Sequence, residues 1–305
     1  MRVAVSGSTG LVGSEVVSVL SAAGHEVVRL VRRAPAPGEK TALRWDPGMR
    51  EVDAAGLEGL DAVIHLAGEN VGSGRWTAAR KTAIRDSRVN GTRLLCETLA
   101  GLARPPKTLV CASAVGIYGD RGEESLTEES SPGTGFLAGV AREWEAASEP
   151  AARKGIRVVT LRIGVVLSPK GGALSRMLPL FRAGLGGVIG GGSQYLSWVA
   201  LDELPFIVLH SLQRADLVGP VNAVTPHPVT NREFTRALGN ALSRPTPLPV
   251  PAFALRLAVG REMADALLLA SARVLPRRLE TTGYRFRFPE LGEALRHLLG
   301  KGKTP

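Results

Sequence analysis

The sequence predicts an α/β fold, a doubly wound and mainly parallel sheet with a smaller C-terminal lobe. Three observations predict it. Short apolar runs alternate with stretches of helical periodicity through the first half of the chain. Those runs lack the polar alternation of half-exposed strands, which implies a sheet covered on both faces. The first run, RVAVS, is followed at once by glycines at 7, 10 and 13 and then by an amphipathic stretch, the sequence form of a strand, a tight turn and a helix.

Taken in order, the first strand is read at 2–6, and the helix behind it carries Val12, Val16, Val19, Leu20 and Ala23 on one face. Further strands are read at 26–31 (EVVRLV), 62–66 (AVIHL), 107–112 (KTLVCA) and 157–162 (RVVTLR), with helices over 76–101 and 136–154. After about residue 168 the texture changes. GLGGVIGGGSQ at 184–194 is a glycine-rich loop and RPTPLPVPAFALR at 244–256 is broken by prolines. Helical patterns at 200–213, 230–242 and 253–274 suit a lobe folded over the sheet edge. The chain thus divides into a nucleotide-binding domain at 1–168 with later segments returning to the sheet, a substrate lobe at 169–300, and a disordered tail at 301–305.

The glycine triplet in a strand–turn–helix context points to a Rossmann-type dinucleotide cradle. Gly7 permits the sharp turn, Gly10 lets the backbone approach a diphosphate, and Gly13 lets the helix pack on the strand. Ser8, Thr9, Leu11 and Val12 then surround an anion at the positive end of the helix. The end of the second strand selects the cofactor. NAD sites usually place a carboxylate there, whereas this chain has Arg32 and Arg33, with no Asp or Glu until Glu39. A guanidinium pairs with the 2′-phosphate that a carboxylate would repel, so NADP(H) is the expected cofactor. The alternative is that both arginines only cap the strand end in solvent.

Composition narrows the class further. Over 305 residues, 44% hydrophobic and 22% charged content is that of a globular protein. Two cysteines, Cys96 and Cys111, sit inside apolar patterns and read as small core residues of a reducing compartment. No targeting segment precedes the first strand, and apolar runs such as ADALLLASA at 264–272 are too short to span a bilayer, so the expected location is cytoplasmic, with no membrane partner. The net charge of +10 is dispersed at helical spacing, as in Arg75, Arg80, Lys81, Arg85, Arg88 and Arg93. That pattern describes solvated helix faces, and nucleic acid is not the favoured partner. The five histidines are scattered without metal-ligand spacing, so no metal is expected.

Several segments together resemble one known group. GSTGLVG at 7–13, HLAG at 65–68, SRVNGT at 87–92, SAVGIYG at 113–119 and SWVALDEL at 197–204 are similar to the extended short-chain dehydrogenase/reductase superfamily of NAD(P)-dependent epimerases and dehydratases. VLPRRLETTGYRFRFPELGEAL at 274–295 resembles an atypical branch with a C-terminal domain of unknown function. The resemblance implies hydride transfer, with a tyrosine and a lysine of a YxxxK motif as acid/base pair. Counting back from Trp144 and Glu145, Leu137 and Ala141 occupy those two positions, and no tyrosine lies within 119–194. The usual pair is absent. The reading is therefore an NADP(H)-binding oxidoreductase or epimerase-like protein acting on an unidentified small polar substrate, or else a non-catalytic NADP(H)-binding sensor.

Candidate residues follow from position at the carboxyl ends of the strands, where open α/β sheets bind ligands. Leu66, Ala67, Gly68, Arg88, Ile163 and Gly164 join the cradle as cofactor-binding candidates. Tyr118 is the candidate proton donor, or a phenol packing against substrate. Ser113 faces the nicotinamide, or ends its strand by bonding backbone. Glu69 and Asn70 border the crevice as substrate candidates, solvation being the alternative for Glu69. Trp198 either stacks on a substrate ring or makes an apolar contact in the lobe.

Overall fold

A computed structural model describes residues 1–301; residues 302–305, the rest of the expected tail, lie outside the described residues. The elements run β1 (Arg2–Ser6), α1 (Leu11–Ala22), β2 (Glu26–Val31), β3 (Ala42–Asp46), β4 (Glu51–Val52), α2 (Ala54–Leu57), β5 (Ala62–His65), α3 (Ala78–Gly101), β6 (Thr108–Ala114), β7 (Ser125–Leu126), α4 (Phe136–Ala146), α5 (Glu149–Arg153), β8 (Arg157–Ile163) and β9 (Val165–Leu167). They continue with α6 (Gly172–Arg182), β10 (Tyr195–Leu196), β11 (Trp198–Ala200), α7 (Leu204–Gln213), β12 (Gly219–Ala223), β13 (Val229–Thr230), α8 (Asn231–Leu242), α9 (Ala252–Val259), α10 (Arg261–Ala264), β14 (Arg273–Val274), α11 (Arg277–Thr281) and α12 (Leu291–Leu298).

Eight strands form one sheet in the order β12-β8-β6-β5-β1-β2-β3-β4, parallel except for the β3–β4 pair. This is the doubly wound sheet that the sequence predicts. Its period-two geometry sends alternate residues to opposite layers. Val3, Val5 and Ile64 pack with Val16, Val17 and Leu20 of α1 and Ile207 and Val208 of α7, whereas Ala4 and Val63 pack with Leu95, Cys96 and Leu99 of α3. Unbroken apolar strands are the consequence of covering both faces. Cys96 and Cys111 are free thiols buried in the second layer.

Two expectations of the sequence reading are corrected. The helix read at 136–154 is two, because Pro150 in the first turn of α5 has no N–H to extend α4. The helix read at 253–274 breaks at Gly260, whose φ of +94° ends α9, and continues as α10 and a π-helical turn at Asp265–Leu269. Arg273 and Val274 then pair in parallel with Ser125 and Leu126, which stitches the C-terminal segment to the loop after β6. The strands β3 and β4 were not read at all. Among the described residues no helix is long and apolar enough to cross a membrane.

Candidate active site

The carboxyl ends of the parallel strands β1, β2, β5, β6 and β8 lie along one edge of the sheet, where open α/β folds form their ligand crevice, beginning at the glycine turn. Gly7 has φ +66°, and a Cβ there would lie 2.8 Å from the Leu66 carbonyl carbon. A Cβ on Gly13 would stand 2.1 Å from the Gly7 carbonyl oxygen, so these two glycines are fixed by packing. Gly10 differs: a Cβ there would meet only the Gly7 carbonyl oxygen, at 3.2 Å, and otherwise open space. Gly10 is also the N-cap of α1, with no side-chain cap and no acidic residue in the first turn. The amides of Leu11, Val12 and Gly13 therefore begin a helix whose positive end is left for a ligand. Ser8 is buried under the turn and Thr9 is exposed beside it.

The two arginines after β2 separate. Arg33 forms a two-pronged pair with Glu39, at 2.8 and 2.6 Å, and this bond pulls the Glu39 carboxyl down to about 2. Arg32 is exposed, with no hydrogen bond or ion pair to another described residue. Only Arg32 is thus uncommitted at the strand end.

Beneath the crevice, a polar latch joins β1 to β5. Ser6 Oγ and His65 Nδ1 are 2.6 Å apart, and Ser6 Oγ accepts the Leu66 amide at 3.1 Å. His65 is 0% exposed and its ring lies edge-on to Trp45 at 5.3 Å. Burial pushes the imidazole down to about 4, so it is neutral at physiological pH. The latch sets the backbone of Leu66 and Ala67, against which Gly7 packs. Polar residues ending two apolar strands were the signal for it, and the sequence reading passed over them.

The α4 side of the crevice carries a second buried network. Arg162 of β8 grips Glu145 of α4 through two bonds of 2.9 Å, and Ser113 Oγ donates to the same carboxylate at 2.7 Å. Ser113 is thereby turned toward Glu145. Arg162 also donates to the Tyr118 hydroxyl at 2.9 Å, and that hydroxyl lies 2.7 Å from Asn222 Oδ1 and 2.9 Å from the Thr127 carbonyl. Tyr118 is 0% exposed, and burial pushes its phenol above the ordinary range. This corrects the placement of Tyr118 as a proton donor at the crevice: the tight turn at Val115–Tyr118 folds the ring into the core. A charged residue inside the apolar run VVTLRI was the sequence signal for this network. The Glu145 contacts also fix the register of α4, with Ala141 one turn earlier and 3% exposed, and with Leu137 against Gly116.

The loop after β5 is tied down by arginines. Glu69 pairs with Arg80 at 3.0 Å, which also donates to the Asn70 carbonyl, while Asn70 Oδ1 accepts the Gly72 amide at 2.8 Å. Arg176 of α6 donates to the Gly72 carbonyl, and Arg75 donates to the Leu257 carbonyl at the end of α9. Glu69 and Asn70 accordingly shape the loop. Trp76 donates to the Val71 carbonyl and meets Phe136 edge-on at 5.2 Å. Arg88 of α3 lies under Gly68, its guanidinium carbon 3.3 Å from where a Cβ on Gly68 would stand.

Trp198 does not reach the crevice. It is 0% exposed, donates to the His227 carbonyl at 3.1 Å, and packs with Leu174, Leu178 and Phe234. The substrate-stacking expectation is replaced by the apolar lobe contact. Ile163 and Gly164 end β8, and a Cβ on Gly164 would fall 2.7 Å from the Ser197 carbonyl oxygen, so that glycine lets β9 and β11 close on the sheet. Among the described residues no cluster of His, Cys, Asp or Glu could hold a metal ion.

Against known proteins, the profile of the NAD dependent epimerase/dehydratase family matches residues 3–223, and that of a domain of unknown function, DUF1731, matches residues 250–298. The epimerase family protein MT2273 of Mycobacterium tuberculosis is 47% identical over 295 residues, covering 96% of each chain. The crystal structure of the human epimerase family protein SDR39U1 (isoform 2) with NADPH superposes with a TM-score of 0.90 at 35% identity, covering 98% of this chain and 99% of that one. A UDP-N-acetylglucosamine 4-epimerase from Bacillus cereus shares the fold, with a TM-score of 0.77 at 18% identity.

Proposed function

Since this chain belongs to the NAD dependent epimerase/dehydratase family, we propose that it is a cytoplasmic NADP(H)-dependent oxidoreductase or epimerase-like enzyme acting on a small polar molecule. The observation that carries the reading is the uncapped N-terminus of α1 at an unobstructed Gly10, with the uncommitted Arg32 at the end of β2. These residues fit a phosphorylated dinucleotide. The amides of Leu11 and Val12, with Ser8 and Thr9, take the diphosphate, and Arg32 takes the 2′-phosphate while Glu39 holds Arg33 aside. Leu66, Ala67, Gly68, Ile163 and Gly164 border the remainder of the crevice. A related structure with 35% identity contains NADPH, which supports the same choice of cofactor.

When bound, the nicotinamide supplies or accepts a hydride. The chain's own residues orient the partners. Leu137 and Ala141 offer no proton, Ser113 is held by Glu145, and Tyr118 is sealed, so the proton exchanges with solvent. On this reading residues 1–168 form the nucleotide domain, β12 returns to its sheet, and 169–300 supply the substrate lobe. Calorimetric titration of NADPH and NADH into wild type and Arg32→Ala tests it. NADPH should bind more tightly, and Arg32→Ala should lose about tenfold for NADPH alone, near the lower end of the roughly 1.5–3 kcal/mol of a charged hydrogen bond. Equal binding of both nucleotides to both proteins would overturn it.

The apolar pair Leu137 and Ala141 favours one second reading, a non-catalytic sensor whose occupancy orders the lobe. Tight NADPH binding with no NADPH oxidation across a metabolite panel would select it.

A further inference from the structure

Arg88 is a cation in the crevice with nothing to neutralise it. Its guanidinium is half-buried, lies 5.0 Å over the Trp144 ring, and donates once, to the Ile84 carbonyl at 3.1 Å. Among the described residues that is its single hydrogen bond, and no carboxylate lies within ion-pair distance. The acid whose field reaches it, Glu69, is held by Arg80, and burial pushes the guanidinium down to about 10. The neighbouring arginines differ. Arg80 holds Glu69, Arg176 and Arg75 cap carbonyls, and Arg162 holds Glu145.

A partly desolvated charge without a partner is unfavourable, and a ligand anion removes that cost. The group is also pre-positioned. Trp144 covers one face of the guanidinium and is itself fixed by a 2.9 Å bond from its indole nitrogen to Thr92 Oγ1. The edges remain for a two-pronged contact with an oxyanion, and Gly68, exposed and without a side chain, leaves the approach open.

We propose that Arg88 is an oxyanion-binding residue on the acceptor side of the crevice, so that the substrate carries a carboxylate or a phosphate. This rests on the functional reading above. Arg32 follows β2 and the α1 amides follow β1, and together they account for the negative groups of a phosphorylated dinucleotide. Arg88 is associated with β5, one strand further along the sheet and about 4.8 Å beyond β1. This assignment takes Arg88 out of the cofactor-binding set that the sequence suggests, and the anion it awaits belongs to the acceptor.

Calorimetry with two probes tests this in wild type, Arg88→Gln and Arg88→Lys. NADPH is titrated first, then inorganic phosphate into the NADPH-saturated protein. Phosphate should bind the loaded wild type, at least tenfold more weakly to loaded Arg88→Gln, and with intermediate affinity to Arg88→Lys, while the NADPH Kd changes less than threefold in each variant. If Arg88→Gln does not fold, Arg88→Lys carries the comparison. A tenfold loss of NADPH affinity, with phosphate excluded once NADPH is bound, would assign Arg88 to the cofactor diphosphate and overturn the proposal. Equal phosphate binding by wild type and variants, or none, would also overturn it. Loss of NADPH binding by the wild type itself would instead remove the functional reading beneath it.

Discussion

Acid should destabilise this protein through one buried side chain, His65. Its ring is 0% exposed, its Nδ1 is engaged with Ser6, and its Nε2 has no partner among the described residues. In the unfolded chain the imidazole titrates at about 6.5, whereas burial holds it at about 4 in the fold. At pH 7 both states are neutral and the residue contributes no pH dependence. Between 6.5 and 4 the unfolded chain binds a proton that the native state refuses, so stability falls as pH falls, at about 1.36 kcal/mol per unit. Below pH 4 both states are protonated and the loss levels off at about 3 kcal/mol. Urea unfolding at several pH values between 7 and 4 measures this in wild type and in His65→Phe, which keeps a ring against Trp45 without a titrating group. Carboxylates titrate alike in both proteins, so the difference between the two curves isolates the histidine. The variant starts lower at pH 7 because Ser6 loses its partner, and the gap should narrow by about 3 kcal/mol by pH 4. Parallel curves would refute the reasoning.

Other expectations are more local. Gly13→Ala places a methyl 2.1 Å from the Gly7 carbonyl oxygen and should cost more than about 3 kcal/mol or abolish soluble expression, as read by thermal melting. Glu145→Gln leaves Arg162 buried without its counter-charge and should cost about 3–5 kcal/mol by urea unfolding. Tyr118→Phe strips one partner from Arg162 and from Asn222; it should cost about 1–3 kcal/mol in the same assay while leaving the NADPH Kd unchanged by calorimetry.

The sheet's centre was legible because its strands are buried on both faces and so read as unbroken apolar runs, and because Gly13 answers to a contact with Gly7 that the local chain itself creates, whereas the close approach at Gly7 comes from Leu66 and Ala67 at the end of another strand. The edge was not. β3 is written ALRWD, where Arg44 turns outward to Glu51 and Trp45 inward to the latch, so its short alternation resembles a loop. The α9–α10 segment misled for another reason: Gly260 sits in an otherwise helical pattern, and only its positive φ marks the break. Tyr118 shows the limit most plainly. Its position after β6 puts the backbone at the crevice, but the direction of its side chain depends on Arg162 and Asn222, which lie 44 and 104 residues further along the chain. Arg162 stands out as a charge inside an apolar run, whereas Arg88 sits among the dispersed cations of its helix and only the lack of a partner sets it apart.

The central claim is that α1 presents its open amino end to a dinucleotide diphosphate across Gly10. Titrating NADPH into Gly10→Val measures this directly, because the added side chain projects into the space reserved for the ligand while the extended backbone there, φ −76° and ψ 172°, suits a branched residue. The account predicts at least a tenfold loss of affinity with a melting temperature close to wild type; unchanged NADPH affinity in a well-folded Gly10→Val would contradict it.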